Sequence, residues 1–196
     1  MSDRDSELDE AELSDFPGVA AASQFAKMVA SVPWFASLGN ELDDDEIDWA
    51  DAYLANLGFP DAHVVLIDSW EDAEAAARNP DWNTEWWEAE EQMRMALIAE
   101  ACELAGEDRV MVALTNVTNQ VSDVAHGAAA VAAAHARMAD EALIRAAAGA
   151  ATQACYQAAL VLAAEGDEEH PFALKYRLFE NGRWPLSVVG NSFNLF

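Results

Sequence analysis

The fold of this chain is decided by one alanine-rich stretch, residues 117–165, which reads VTNQVSDVAHGAAAVAAAHARMADEALIRAAAGAATQACYQAALVLAAE. The stretch contains no proline and is long enough for one helix or for two consecutive helices. Asp140 is a favourable N-cap residue, and Glu141 behind it suits the positive end of a helix. We therefore predict two helices that meet near Ala139, with one long bent helix as the alternative.

Each of these predicted helices carries an apolar stripe. In the first, apolar residues recur in alternating steps of four and three, as in a coiled-coil seam. In the second, the stripe is mostly alanine, which buries little area but lets two backbones approach closely. The stripes are Val117, Val121, Val124, Ala128, Val131, His135 and Met138, and then Ile144, Ala147, Ala151, Ala154, Ala158 and Leu162. We expect this pair at the centre of the molecule, covered by larger side chains of other helices.

The charge of the chain restricts its partners. The formal net charge is -26 over 196 residues, so phosphate backbones and anionic membrane surfaces would repel the protein. No nucleic-acid or membrane partner is expected. A basic protein partner agrees with this charge, and so does a surface that is acidic for solvation alone.

The remaining bulk features indicate a cytoplasmic protein. Residues 1–15 are strongly acidic with little to bury, and we expect a disordered tail rather than a signal peptide. No apolar run approaches the ~20 residues that span a bilayer. Cys102 and Cys155 lie among apolar neighbours in helical patterns, where free thiols are the expectation.

The flanking segments predict a mainly α fold. Helices are expected from Pro17, after the Asp43 cap, over 70–78 and 85–104, and from near Asp108, whereas residues 63–67 fit a strand or a helix start. At the C-terminal end, Asn181-Gly182 is a hairpin turn signal between two apolar runs. We predict a single-domain helical bundle over 16–196, built around the alanine-rich pair, with a β-hairpin appendage at 172–190.

Two carboxylate pairs suggest a metal site. Glu100 and Glu103 share a helix face, as do Gln120 and Asp123, and carboxylates on facing helices can hold Mg²⁺ or Mn²⁺. The pattern resembles the all-α nucleotide pyrophosphohydrolases of the MazG type, although Gln120 stands where that family has a carboxylate. The resemblance implies a metal-dependent enzyme acting on nucleotides. His126, three residues after Asp123, is a further candidate ligand, as in the Glu-x-x-His motifs of di-metal bundles.

Polar and aromatic clusters give two more hypotheses. One helix face carries several amides that either line a ligand pocket or fix a helix contact, because buried polar groups must be paired. The candidate pocket residues are Asn116, Asn119, Gln120, Gln153 and Gln157. Separately, Trp82, Trp86 and Trp87 lie beside carboxylates and could form a cage for a cation.

No nucleophilic or phosphate-binding motif accompanies these clusters. The leading hypothesis is an interaction protein that self-associates, by default as a C2 dimer, or binds a basic protein. A Mg²⁺- or Mn²⁺-dependent enzyme of the pyrophosphohydrolase kind and a small-ligand-binding helical bundle are the alternatives.

Overall fold

A computed structural model describes residues 15–196, so the predicted tail at 1–15 lies, except for Asp15, outside the described residues. Within this range the protein is mainly α, as predicted. The helices are α1 (Pro17–Met28), α2 (Asp44–Leu57), α3 (Trp70–Ala77), α4 (Thr84–Ala105), α5 (Glu107–His135), α6 (Glu141–Ala163) and α7 (Pro171–Glu180). The strands are β1 (His63–Leu66), β2 (Pro185–Val189) and β3 (Ser192–Leu195).

The alanine-rich stretch forms two helices, α5 and α6, which pack against each other in the main core. Asp140 caps α6, because its carboxylate accepts hydrogen bonds from the backbone N–H groups of Ala142 and Leu143. The prediction of two helices meeting near Ala139 is thus confirmed. The buried stripe predicted for α6 is also largely observed, from Ile144 to Ala158.

The stripe predicted for α5 is wrong in its second half. The buried residues recur every four positions as Val117, Val121, Ala125, Ala129 and Ala133. Val131 is 58% exposed, and His135 is exposed as well. Alanines occupy almost every position here, so hydropathy alone does not distinguish the buried face, and the face follows the helix contact instead.

Helix α1 packs across both helices of the hairpin at very short range. A Cβ atom at Gly18 would lie 2.6 Å from the carbonyl oxygen of Leu162, which is a steric clash. Only glycine permits this approach of two backbones. Gly18 therefore fixes the position of α1 on the core.

The C-terminal hairpin exists, but not at 172–190. Residues 171–180 form helix α7, with Pro171 at its first position and the His170 ring accepting a hydrogen bond from the N–H of Phe172. An apolar run that is buried on nearly all sides suits a helix as well as a strand, and its composition did not distinguish them. Gly182, at φ 83°, follows the helix end, and the hairpin turn falls at Gly190.

Strand β3 is the centre of a three-stranded sheet. It pairs antiparallel with β2 and parallel with β1, so the ambiguous run at 63–67 contributes a strand. One face of the sheet joins α2 and α7 in a second, smaller apolar cluster that includes Tyr53, Leu174 and Phe193.

A buried ion pair attaches the end of α7 to the start of α2. The guanidinium of Arg183 donates to both carboxylate oxygens of Glu46 at 2.8 Å, and each side chain is less than 5% exposed. The same guanidinium donates to the backbone carbonyls of Ser37, Asn40 and Glu41. Each of its donor nitrogens therefore has a partner, which a buried charge requires.

A second buried network joins α2, α4 and α7. The carboxylate of Glu90 accepts hydrogen bonds from the Lys175 ammonium and the Tyr53 hydroxyl, both at 2.7 Å. The indole N–H of Trp86 donates to the Tyr53 oxygen at 2.6 Å. The ammonium also lies 5.5 Å from the centre of the Trp86 ring, in cation–π range.

We expect the free energy of unfolding to fall as the pH rises above about 9. Burial, followed by the Glu90 charge, raises the pKa of Tyr53, and burial raises the pKa of Tyr176 and Cys155. A raised pKa in the folded state means that the folded protein holds the proton more tightly. The contribution of each group to the free energy of unfolding is complete below its pKa in the unfolded chain. It is lost progressively as the pH rises from that value through the higher pKa of the folded state.

Urea unfolding at about pH 8 and about pH 10.5, at constant high salt, measures this loss. Tyr53→Phe should weaken the pH dependence, because it removes one buried phenol. Equal unfolding free energies at the two pH values would contradict the prediction.

Candidate functional site

A groove of about 510 Å³ runs between α5 and α6 and gathers several of the predicted site residues. Asp123 and His126 line it from α5, and Gln153 lines it from α6, together with Arg145. The other lining residues are small or hydroxyl-bearing: Thr118, Ser122, Ala148, Gly149 and Thr152, with Tyr156. A carboxylate, an imidazole and a guanidinium in one groove are suited to a small polar ligand. The ligand-binding bundle nevertheless stays a prediction.

The predicted metal ligands are not brought together. Glu100 and Glu103 are exposed on α4, and they do not line the groove that holds Asp123 and His126. Among residues 15–196, no group of three or more His, Cys, Asp or Glu side chains is placed to hold a metal ion. The geometry therefore gives no support to the metal-dependent enzyme, which stays a prediction.

The structure does not bring the residues of the predicted amide pocket together. Asn119 and Gln120 are exposed on α5, and Asn116 is half-buried. Gln153 reaches the groove, whereas Gln157 is buried in the main core. Gln157 does not line the groove. Its Oε1 atom has no hydrogen-bond partner among the described residues.

The predicted tryptophan cage lacks one wall. Trp82 and Trp87 are 44% and 49% exposed, but Trp86 turns inward and hydrogen-bonds to Tyr53. Trp82 and Trp87 remain exposed, but Trp86 does not supply the third aromatic face of the predicted cation cage.

The central hairpin differs in charge from the rest of the molecule. Between residues 109 and 164, a range that leaves out Glu107 and Asp108 in the first turn of α5, the arginines Arg109, Arg137 and Arg145 balance the acids Asp123, Asp140 and Glu141. This segment has no net formal charge in a chain of -26. The excess of carboxylates lies elsewhere, for example on α2, where Asp44, Asp48 and Asp51 are all exposed. The spacing of these three residues places them on one face of the helix.

A second cavity, of about 570 Å³, was not anticipated from the sequence. It lies where α1 and the 3₁₀ turn Val29–Ser31 meet α6 and α7, and we call it the α1–α7 pocket. Phe25, Met28, Val161, Leu162 and Tyr176 form an apolar floor. Asp167, Glu168, Arg177 and Glu180 stand around it. Its walls come from two distant parts of the chain, residues 25–33 and 158–180, so no local motif could have indicated it.

None of the helices in the described part of the chain is both long and apolar enough to cross a membrane. A scan against protein-family models found no match, and searches of curated proteins and of solved structures found no significant similarity.

Proposed function

We propose that this chain is an interaction protein that binds a basic protein partner through its acidic surface. The observation that supports this proposal is the way in which its few cations are used. The chain has 10 lysine and arginine residues against 36 acids. Most of the cations lie in the described part of the chain, where Arg78, Arg94, Lys175, Arg177 and Arg183 each pair with an acid of the protein itself. These pairs leave the exterior dominated by uncompensated carboxylates, which attract a basic surface and speed its encounter.

Affinity capture tests the proposal. The immobilised protein is incubated with a lysate of the source cells at about 0.15 M salt, where charges more than roughly 8 Å apart are screened. Retained proteins should be basic and should elute as the salt concentration rises. A variant with Asp44, Asp48 and Asp51 changed to asparagine should retain less. Captured proteins with an ordinary spread of charge, or salt-independent retention, would count against the proposal.

Self-association is a second candidate, and the neutral segment 109–164 favours it. Two copies with a charge of -26 repel each other least if they meet at the neutral segment 109–164. In this segment Gly127 and Gly149 are exposed in helix interiors, and nothing lies within 4 Å of a Cβ built on either. Glycine inside a helix costs about 1 kcal/mol relative to alanine. Close approach of a second copy would account for this cost.

We expect sedimentation velocity to detect a dimer that Gly149→Glu dissociates. The new side chain would place two like charges and extra bulk in the interface. Ala99→Glu adds the same charge at an exposed position of α4 and serves as the control. A monomeric wild-type protein, or equal effects of the two substitutions, would rule out this interface.

A further inference from the structure

The α1–α7 pocket combines an apolar floor with a negative rim. Phe25 and Tyr176 meet edge to face on the floor, with ring centres 4.8 Å apart, and both are less than 10% exposed. The Met28 side chain beside them is 58% exposed, which leaves an apolar surface open to solvent. A concave site that combines apolar side chains with a few charged groups is the usual form of a binding pocket.

The charged side chains at the rim of the pocket differ in whether they already have an ion-pair partner. Arg177 is held by Glu168 through a hydrogen bond of 2.9 Å, and its guanidinium lies 6.0 Å from the centre of the Trp49 ring. Glu180 is exposed at the end of α7 and forms no ion pair with any described residue. After the larger effect of burial, its charge contributes to the raised pKa of both Tyr176 and Cys155. Because Glu180 is exposed, lines the pocket and has no ion-pair partner among the described residues, it can receive a cation.

We propose that the α1–α7 pocket binds an arginine or lysine of the basic partner, flanked by apolar residues, with Glu180 as the carboxylate that receives its charge. This inference rests on the proposed function and names the chemistry recognised at one place on the acidic surface.

Both ends of such a side chain match the pocket. The aliphatic stem of arginine or lysine covers apolar surface while its charged end stays near water. Met28 and Leu162 line the pocket and offer apolar surface to the stem, and Glu180 and Asp167 line it as well and offer carboxylates to the charged end. Arginine suits the site better than lysine, because its planar guanidinium can donate two parallel hydrogen bonds to one carboxylate. Neighbouring apolar residues of the partner fill the remaining floor.

The test uses two fluorescent peptides of equal length and equal charge. One alternates arginine with leucine, and the other alternates lysine with serine. Binding to the full chain is measured by fluorescence anisotropy at about 0.15 M salt. We expect the arginine–leucine peptide to bind about tenfold more tightly. Because the two peptides have the same net charge, general attraction to the acidic surface would not produce this difference, whereas the pocket would.

Two substitutions locate the binding. Glu180→Gln should weaken the binding of the arginine–leucine peptide about tenfold. Glu88→Gln, which removes the same charge from an exposed position of α4, should have little effect on this binding. Ser31→Trp places a ring at the exposed mouth of the pocket and should abolish the preference for that peptide. Ala99→Trp on α4 is its control.

The failures of the two proposals are distinguishable. If both peptides bind equally and Glu180→Gln behaves like Glu88→Gln, the pocket is not the site, although the acidic surface still binds cations. If neither peptide binds, the proposed function fails together with the inference. If Ser31→Trp changes the sedimentation of the free protein and not its peptide binding, the pocket holds a second copy of the chain, which overturns the inference.

Discussion

Replacing Arg183 with alanine should destabilise the protein by about 3–5 kcal/mol, the usual cost of leaving one member of a buried ion pair without its partner. Glu46 would keep its hydrogen bond from the Asp43 N–H, but it would lose both bonds from the guanidinium. The carbonyls of Ser37, Asn40 and Glu41 would lose their donor as well. Such a loss is a large part of the roughly 5–15 kcal/mol that stabilises a typical domain.

Urea unfolding followed by tryptophan fluorescence measures the effect. Arg183→Lys provides an intermediate case, because an ammonium keeps the charge but has three donors and no planar fork. Arg145→Ala is the control, since Arg145 is exposed and its hydrogen bond among the described residues goes to the backbone carbonyl of Glu141 in its own helix. The control should change stability by less than about 0.5 kcal/mol. A loss below about 1 kcal/mol for Arg183→Ala would show that the pair contributes little.

Single substitutions in the Glu90–Lys175 pair should each cost about 3–5 kcal/mol, and the double substitution less than their sum. Lys175→Met leaves the Glu90 carboxylate buried, with the Tyr53 hydroxyl as its one remaining donor among residues 15–196. Glu90→Leu leaves the Lys175 ammonium buried without an acceptor among the described residues. The double variant Glu90→Leu/Lys175→Met buries neither charge and is close to an apolar replacement of the pair.

A double-mutant cycle isolates the coupling between these two residues. We expect about 1–3 kcal/mol, because both side chains are less than 10% exposed and solvent screens them little. Glu91→Leu and Arg94→Met form the matched cycle on a partly exposed pair of α4, where the coupling should be weaker because solvent screens the two charges. Additive effects at Glu90 and Lys175 would mean that the two charges do not stabilise each other.

Helix boundaries were predictable where they depend on local chemistry. Asp43, Ser69 and Asp140 each accept a hydrogen bond from the backbone of the turn that follows, as their positions in the sequence indicated. A cap requires only residues two or three positions apart. The same local reasoning failed for α7, because a segment buried on nearly all sides has no polar face to reveal its period.

The buried pairs and the pocket could not be predicted because their parts are distant in the sequence. Arg183 and Glu46 are 137 positions apart, and Lys175 and Glu90 are 85 apart. In a chain with 36 acids, nothing marks Glu46 or Glu90 as internal. Of the predicted site residues, Asp123, His126 and Gln153 meet in one groove because α5 and α6 are adjacent in the chain. Glu100 and Glu103 lie on α4, whose packing depends on contacts that the sequence pattern did not reveal.

The central position of β3 in the sheet has a consequence for the order of folding. Its pairing with β1 joins residues such as Ser192 and His63, which are 129 positions apart. Contacts between distant segments form slowly, because a long loop must close first. During synthesis, β1 and the Glu46 carboxylate emerge long before β3 and Arg183 do. The α5–α6 hairpin, whose contacts are local, can form early, whereas the sheet and the Arg183–Glu46 pair assemble only after Arg183 and β3 have left the ribosome.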